Sequence, residues 1–250
     1  MLNVLKVRLN HGYQAIKNIR KAVIHSAYRG FPLIDAKPCQ SECRRCFNEC
    51  PSDAISKEPL SIDLGKCVFC GKCEKICPER KIQFSNFHKT ASTLRDHLFI
   101  QEGENEQDYY KDAVQIRKEI KKIFSHSLKL RQISAGGCNS CEMELNACSN
   151  VNFDMGRFGI DFVASPRHAD GLVITGPISE NMAKPLEDTY LAIGSPKIVI
   201  LTGSCAISAG VFQNSPALNR SFLDKVKVDL YIPGCPVHPL AFINGILDFI

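Results

Sequence analysis

The chain has 250 residues, 44% of them hydrophobic and 23% charged, an ordinary globular composition with room for one large or two modest domains. No run of about 18 apolar residues occurs, so no membrane-spanning helix is expected. The formal net charge of +5 is mild, and no recognisable nucleic-acid motif accompanies the basic residues, so no nucleic-acid partner is expected.

From Met1 to Ile34 there is no Asp or Glu, while Lys6, Arg8, Lys17, Arg20, Lys21 and Arg29 are basic. Leu2, Leu5, Leu9, Tyr13, Ile16, Ile19 and Val23 recur at helical steps, which predicts a basic amphipathic helical segment over residues 1–34. Such a helix suits either a partner subunit or an anionic membrane surface, and Gly12 weakens it by about 1 kcal/mol.

Residues 35–87 are dominated by two runs of four cysteines, CQSECRRCFNECP and CVFCGKCEKICP. The second run, Cys67, Cys70, Cys73 and Cys77 before Pro78, has the spacing of bacterial two-cluster ferredoxins, in which the fourth cysteine ligates the other cluster. The first run, Cys39, Cys43, Cys46 and Cys50 before Pro51, has one extra residue between its first two cysteines. By the exchange rule one [4Fe-4S] cluster takes Cys39, Cys43, Cys46 and Cys77, and the other takes Cys67, Cys70, Cys73 and Cys50. Four-cysteine zinc sites use two short pairs with a longer spacer, which this pattern lacks. No secretory signal is read ahead of the cysteines, so a reducing compartment and free thiols are expected rather than a disulfide framework. Between the runs, DAISKEPLSIDLGK suits a small strand pair. Phe47, Phe69 and Ile76 are expected to cover the clusters, and so small a unit is expected to draw much of its stability from them.

Residues 88–131 read as a connector, with the acidic stretch EGENEQD expected to be a solvated face and a helix from about Tyr109 to Phe124. From Gln132 onward, β-branched runs ending in Gly or Pro alternate with helical segments such as Glu180 to Ile193, which indicates α/β with a parallel sheet over residues 132–250. Ligands bind beyond the carboxyl ends of such strands. Cys205 and Cys235 follow two of these strands, and Cys138 and Cys141 lie in a glycine-rich turn before a helix. These four form a candidate four-thiolate site drawn from three loops. Cys148 is read as a buried helix thiol.

Here the motifs become specific. GGCNSCEMEL, RFGIDFVASPRHADGLVITGPI, LTGSCAISAGVF and VDLYIPGCPVHP resemble the small subunit of membrane-bound, energy-converting [NiFe] hydrogenases such as formate hydrogenlyase. They are similar also to the homologous 20 kDa subunit of respiratory complex I. The resemblance covers Gln132 to Ile250. The cysteine-rich segment with its lead-in YRGFP resembles the two-cluster subunit of the same complexes, so the chain reads as a fusion of two neighbouring electron-transfer subunits.

The resemblance implies a flavodoxin-like parallel-sheet domain after a ferredoxin domain. It implies a proximal [4Fe-4S] cluster on Cys138, Cys141, Cys205 and Cys235, for three [4Fe-4S] clusters in all. The implied partners are a hydrogenase large subunit, membrane-arm subunits and an electron donor or acceptor, with the chain peripheral on the cytoplasmic side of the cell membrane. Complex I has adjacent cysteines at the first ligand pair, whereas Asn139 and Ser140 separate Cys138 from Cys141, as in the hydrogenase branch. A quinone-reducing complex I-like subunit and a free ferredoxin-like carrier are the alternatives. Arg167 beside His168 suits cluster or partner contact, or a salt bridge to Asp170 or Glu142. His238 suits a hydrogen bond to the cluster or plain solvent exposure, and Glu142 and Glu144 suit helix capping or proton relay. No G-x-G-x-x-G after a strand and no P-loop occur, so neither NAD nor ATP is expected.

Overall fold

The computed structural model describes residues 2–39, 43–114, 118–124 and 127–250. The first helix, α1 (Leu2–His11), stops at Gly12, whose φ of +63° and N–H to the Arg8 carbonyl (3.0 Å) make a left-handed helix cap. The helical segment expected over residues 1–34 is therefore shorter than its apolar period suggests. Beyond Gly12 the chain becomes a strap on its own C-terminal helix, which spans Pro239–Phe249. Asn244 Nδ2 donates to the Ile19 carbonyl (3.1 Å), and Arg20 pairs with Asp248 and donates to the Leu247 carbonyl (2.7 Å). Val4, Leu5, Val7 and Leu9 of α1 stay exposed.

The cysteine-rich half contains β1 (Pro32–Ile34), α2 (Arg45–Asn48), β2 (Ile55–Lys57), β3 (Leu60–Asp63), α3 (Lys72–Ile76), β4 (Ile82–Phe84) and β5 (Phe99–Gln101). β1 pairs antiparallel with β4, and β2–β3–β5 form a three-stranded antiparallel sheet. The expected strand pair between the cysteine runs is present, but β5 comes from the segment read as connector. There Ile100 alternates inward between exposed Phe99 and Gln101, and Arg95 forks onto the Asp63 carboxylate at 2.8 and 2.5 Å.

The single helix expected from Tyr109 to Phe124 is two: α4 (Glu106–Ala113) and α5 (Lys118–Phe124). Asn105 caps α4, its side chain accepting from the N–H groups of Gln107 and Asp108, and Val114 is extended. The acidic stretch is only partly solvated, since Glu102 pairs with buried Lys81 (2.6 Å) and Glu106 accepts from the Ser85 hydroxyl (2.7 Å).

The second half runs β6 (Leu128–Ser134), α6 (Ser140–Ala147), β7 (Ile160–Phe162), β8 (Gly171–Thr175), α7 (Glu180–Ala192), β9 (Ile198–Thr202), α8 (Ser204–Ser208), α9 (Phe222–Lys225), β10 (Leu230–Ile232) and α10 (Pro239–Phe249). Its five strands are parallel in the order β10-β9-β8-β6-β7, and β8 and β9 are buried along their whole length.

Alternation along these strands divides the core in two. Val173, Ile198, Ile200 and Ile232 face the α10 side with Phe242 and Ile246. Leu172, Ile174, Val199 and Leu201 belong to one core with Phe31, Ile62, Leu64 and Ile100 of the cysteine-rich half. That half, whose few apolar residues suggest dependence on its clusters, thus shares a core with the sheet.

Candidate metal centres

The twelve cysteines singled out from sequence fall into three groups in space. Burial raises the Cys46 pKa, and the charges of Cys39, Cys77 and Cys43 add to it. Burial also raises Cys67, beside Cys73, Cys50 and Cys70. In the second half burial pushes Cys205 up to about 11, with Cys235 and Cys138 as charged neighbours, and Cys141 up to about 12, with Cys205 and Cys235 among its neighbours. Cys39, Cys43 and Cys77 thus lie near Cys46, with Cys50, Cys70 and Cys73 near Cys67, and Cys138 and Cys235 near Cys205.

The groups are also near enough for charge on one to act on the next. Cys73, raised to about 12 chiefly by burial, feels Cys46 of the first group. Cys235, raised chiefly by burial, feels Cys70 of the second. The sequence of neighbours is therefore the Cys46 group, the Cys67 group and the Cys205 group.

Backbone N–H groups point at several of these sulfurs. Sulfur accepts an N–H at 3.3 Å from Ala54 on Cys50, from Phe69 on Cys67 and from Lys81 on Cys77. Val237 N–H opposes the burial of Cys141, and hydrogen bonding with Ser140 holds Cys138 below the ordinary thiol value. Such donors stabilise thiolate and tune a bound cluster.

The donor set fits an iron-sulfur cluster better than a single ion. Cys50, Cys67, Cys70 and Cys73 line one small pocket together with Ala54, Ile55, Ile62 and Phe84. Among the described residues, no group of three or more His, Cys, Asp or Glu converges closely enough to hold a single metal ion. At the third group the ligand turns leave no room for a side chain: a Cβ on Gly203, at φ +90°, would lie 2.6 Å from Cys141 Sγ.

Other residues take places the sequence did not fix. Phe69 is buried and packs edge-on against Phe84, but Phe47 is 44% exposed and Ile76 only half-buried, so the covering role falls mainly to Phe69. His238 neither donates to a cysteine sulfur nor stands in water. Its Nδ1 accepts from the Leu240 N–H (3.1 Å) as the cap of α10, and its ring sits edge-on to Tyr28 and Phe153. Arg167 and His168 are exposed, and among the described residues Arg167 forms no ion pair with Asp170 or Glu142. Asp170 instead accepts from the Lys129 N–H (2.7 Å), and buried Glu142 accepts from the Thr175 hydroxyl (2.7 Å). Burial raises the Glu144 pKa, and burial followed by the Glu144 charge raises Tyr28 to about 12. Cys148 is fully buried, its thiol donating to the Glu144 carbonyl (3.4 Å).

Residues 138–249 match the family described as NADH ubiquinone oxidoreductase, 20 kDa subunit, and residues 31–78 match the 4Fe-4S dicluster domain. Over 126 residues the chain is 36% identical to the probable membrane-bound hydrogenase subunit mbhJ of Pyrococcus furiosus, covering 50% of this chain and 75% of that one. The chain belongs to this 20 kDa subunit family.

Two other relatives mark the breadth of the family. Formate hydrogenlyase subunit 7 of Escherichia coli is 40% identical over 126 residues, 50% of this chain and 49% of its own. An NADH-quinone oxidoreductase subunit of Desulfovibrio desulfuricans is 41% identical over 111 residues, 44% of this chain and 60% of its own. As a member of the 20 kDa subunit family with a 4Fe-4S dicluster domain, the chain is an iron-sulfur electron-transfer subunit of the membrane-bound hydrogenase and complex I-like class. No helix among the described residues is long and apolar enough to cross a membrane.

Two serines of this site escaped the sequence reading. Ser204 and Ser208, four apart on α8, donate to the carbonyls of Cys67 (2.6 Å) and Gly65 (2.8 Å) in the other half. Their spacing in GSCAIS was the available signal, since i and i+4 share a helix face.

Proposed function

We propose that the chain relays electrons through three [4Fe-4S] clusters within a membrane-associated [NiFe] hydrogenase complex, facing a large subunit that carries nickel and iron. The ligands in this reading are Cys39, Cys43, Cys46 and Cys77, then Cys50, Cys67, Cys70 and Cys73, then Cys138, Cys141, Cys205 and Cys235. The observation that carries it is the unbroken order of the three thiol groups, with Cys46 beside Cys73 and Cys70 beside Cys235. When bound, each cluster supplies one-electron redox chemistry at a potential set by charge, hydrogen bonds to sulfur and solvent exposure.

The protein's own residues do the rest. Backbone N–H groups of Ala54, Phe69 and Lys81 hold their sulfurs as acceptors, and Phe69 and Phe84 keep water from the middle group. α8, locked to the Cys67 turn by Ser204 and Ser208, fixes the third group against the second. Residues 35–87 and 132–250 act as ferredoxin and hydrogenase small-subunit domains, and membrane-arm subunits hold the complex peripherally on the cytoplasmic face.

Two residues between Cys138 and Cys141 favour the nickel-bearing branch. The 41% identity to an NADH-quinone oxidoreductase subunit supports a second reading, in which the large subunit lacks nickel and reduces quinone. Anaerobic purification of the complex through a tag on this chain, with assay of nickel and of H2-dependent dye reduction, decides between them. Stoichiometric nickel with hydrogen activity supports the hydrogenase. Intact clusters with neither move the assignment to the quinone-linked complex.

A further inference from the structure

The turn carrying Cys205 is held by a residue far from any cysteine motif. Arg220 reaches it from the segment before α9, and both of its terminal nitrogens are engaged. Nη1 donates to the carbonyls of Pro177 (3.0 Å) and Cys205 (3.2 Å), and Nη2 to those of Ala206 (2.7 Å) and Ile207 (3.1 Å). Three of these are carbonyls of α8, the short helix that begins at Ser204, and that of Cys205 accepts from the Ala209 N–H (2.9 Å) as well.

All four of these acceptors are neutral. None is a carboxylate, so the guanidinium charge is not cancelled by a partner among these bonds. Through these bonds a cationic side chain is fixed on the turn that carries Cys205, with Nη1 3.2 Å from the Cys205 carbonyl. Arg220 itself is half-buried. A cation kept in a poorly screened position beside anionic sulfur acts over a short path through protein rather than water.

We infer that Arg220 is the resident countercharge of the third thiol group and raises the reduction potential of the cluster held by Cys138, Cys141, Cys205 and Cys235. The inference rests on the ligand assignment proposed above. Reduction adds negative charge to the site, so a fixed cation stabilises the reduced state more than the oxidised one. Arg220 thereby favours electron arrival at the third site from the second. It is a positioning and tuning residue, touching the ligand backbone while its charge acts on the sulfur.

The test is a redox titration of the full chain, clusters loaded anaerobically, followed by electron paramagnetic resonance of each cluster signal. Arg220→Gln, which keeps polarity but not charge, is expected to move the third signal to a more negative midpoint and leave the other two in place. Arg220→Lys is expected to stay near the wild-type midpoint, although it cannot fork onto four carbonyls. An unmoved third signal in Arg220→Gln, or an equal shift in Arg220→Lys, overturns the inference. If Arg220→Gln does not fold, Asn219→Asp, which sets a carboxylate next to Arg220 in the chain, decides: a smaller shift in the same direction supports the inference and no shift overturns it. A wild-type chain without a third signal would instead overturn the ligand assignment, and the inference with it.

Discussion

Ser204 Oγ lies 2.6 Å from the carbonyl oxygen of Cys67, so a single buried hydroxyl ties the residue before one proposed ligand to the backbone of another, 137 positions away. The Ser204 N–H also donates to the Gly234 carbonyl (2.9 Å), next to Cys235. Ser204→Ala leaves the Cys67 carbonyl without this donor in a dry seam, at a cost of about 1–3 kcal/mol. The expected outcome is a lower urea midpoint and weaker magnetic coupling between the second and third clusters, with iron content unchanged. Unchanged coupling would show that the seam is set elsewhere, and Ser204→Thr should restore it.

Cys148 and Cys205 make a controlled pair. Cys148 is sealed in the α10-side core, whereas Cys205 stands among three other thiols. Cys148→Ala is expected to keep the full iron and sulfide content and to lose about 1 kcal/mol of stability. Cys205→Ala is expected to lose the third cluster and H2-linked electron transfer. Loss of a cluster in Cys148→Ala would make it a ligand after all, against its position.

The proximity of the cysteines was legible in part because spacing within a run is local, and because strand-helix alternation sets Cys205 and Cys235 after β9 and β10. What was not legible was long-range. Nothing local in FIQ announces that Phe99–Gln101 completes a sheet with β3, or that Asp63 waits for Arg95. The apolar period of the first 23 residues serves two ends, with the apolar residues of α1 exposed and Ile19 buried under α10, and the helix between them breaks at the left-handed backbone of Gly12. The sequence leaves His238 between a hydrogen bond to the cluster and a loop histidine in water, because its capping role depends on where α10 begins. Arg220 lies outside every motif, and its four acceptors come together only in the folded chain.

Gly203 is a steric prediction. Its φ of +90° disfavours any side chain, and an added Cβ would come 2.6 Å from Cys141 Sγ and 3.5 Å from the Gly234 carbonyl. Gly203→Ala must therefore displace either the Cys141 side chain or the turn itself. Iron and sulfide analysis is expected to show loss at the third site alone, with the signals of the two ferredoxin-type clusters intact. Full occupancy of all sites would mean that the turn can yield by several tenths of an ångström.

His88 gives the fold a pH dependence independent of any metal. It is 5% exposed, and burial first, then the charges of His238 and Lys89, lowers its pKa to about 4. Its Nε2 faces Asn244 Nδ2 at 3.4 Å, and that amide also donates to the Ile19 and Leu240 carbonyls. The ring's Nε2 thus faces a donor group, and a protonated ring would set donor against donor. In the unfolded chain the same histidine titrates near the usual value of about 6.5. Between these two values the unfolded chain binds a proton that the folded chain refuses. Stability contributed by neutral His88 is thus fully present above about pH 6.5 and falls as the pH drops toward about 4, by about 2 kcal/mol at pH 5. Urea midpoints measured anaerobically at pH 7 and pH 5 are expected to separate in the wild type and to draw together in His88→Gln. If the glutamine variant kept the whole separation, the acid sensitivity would belong to other groups and His88 would be only a packing residue.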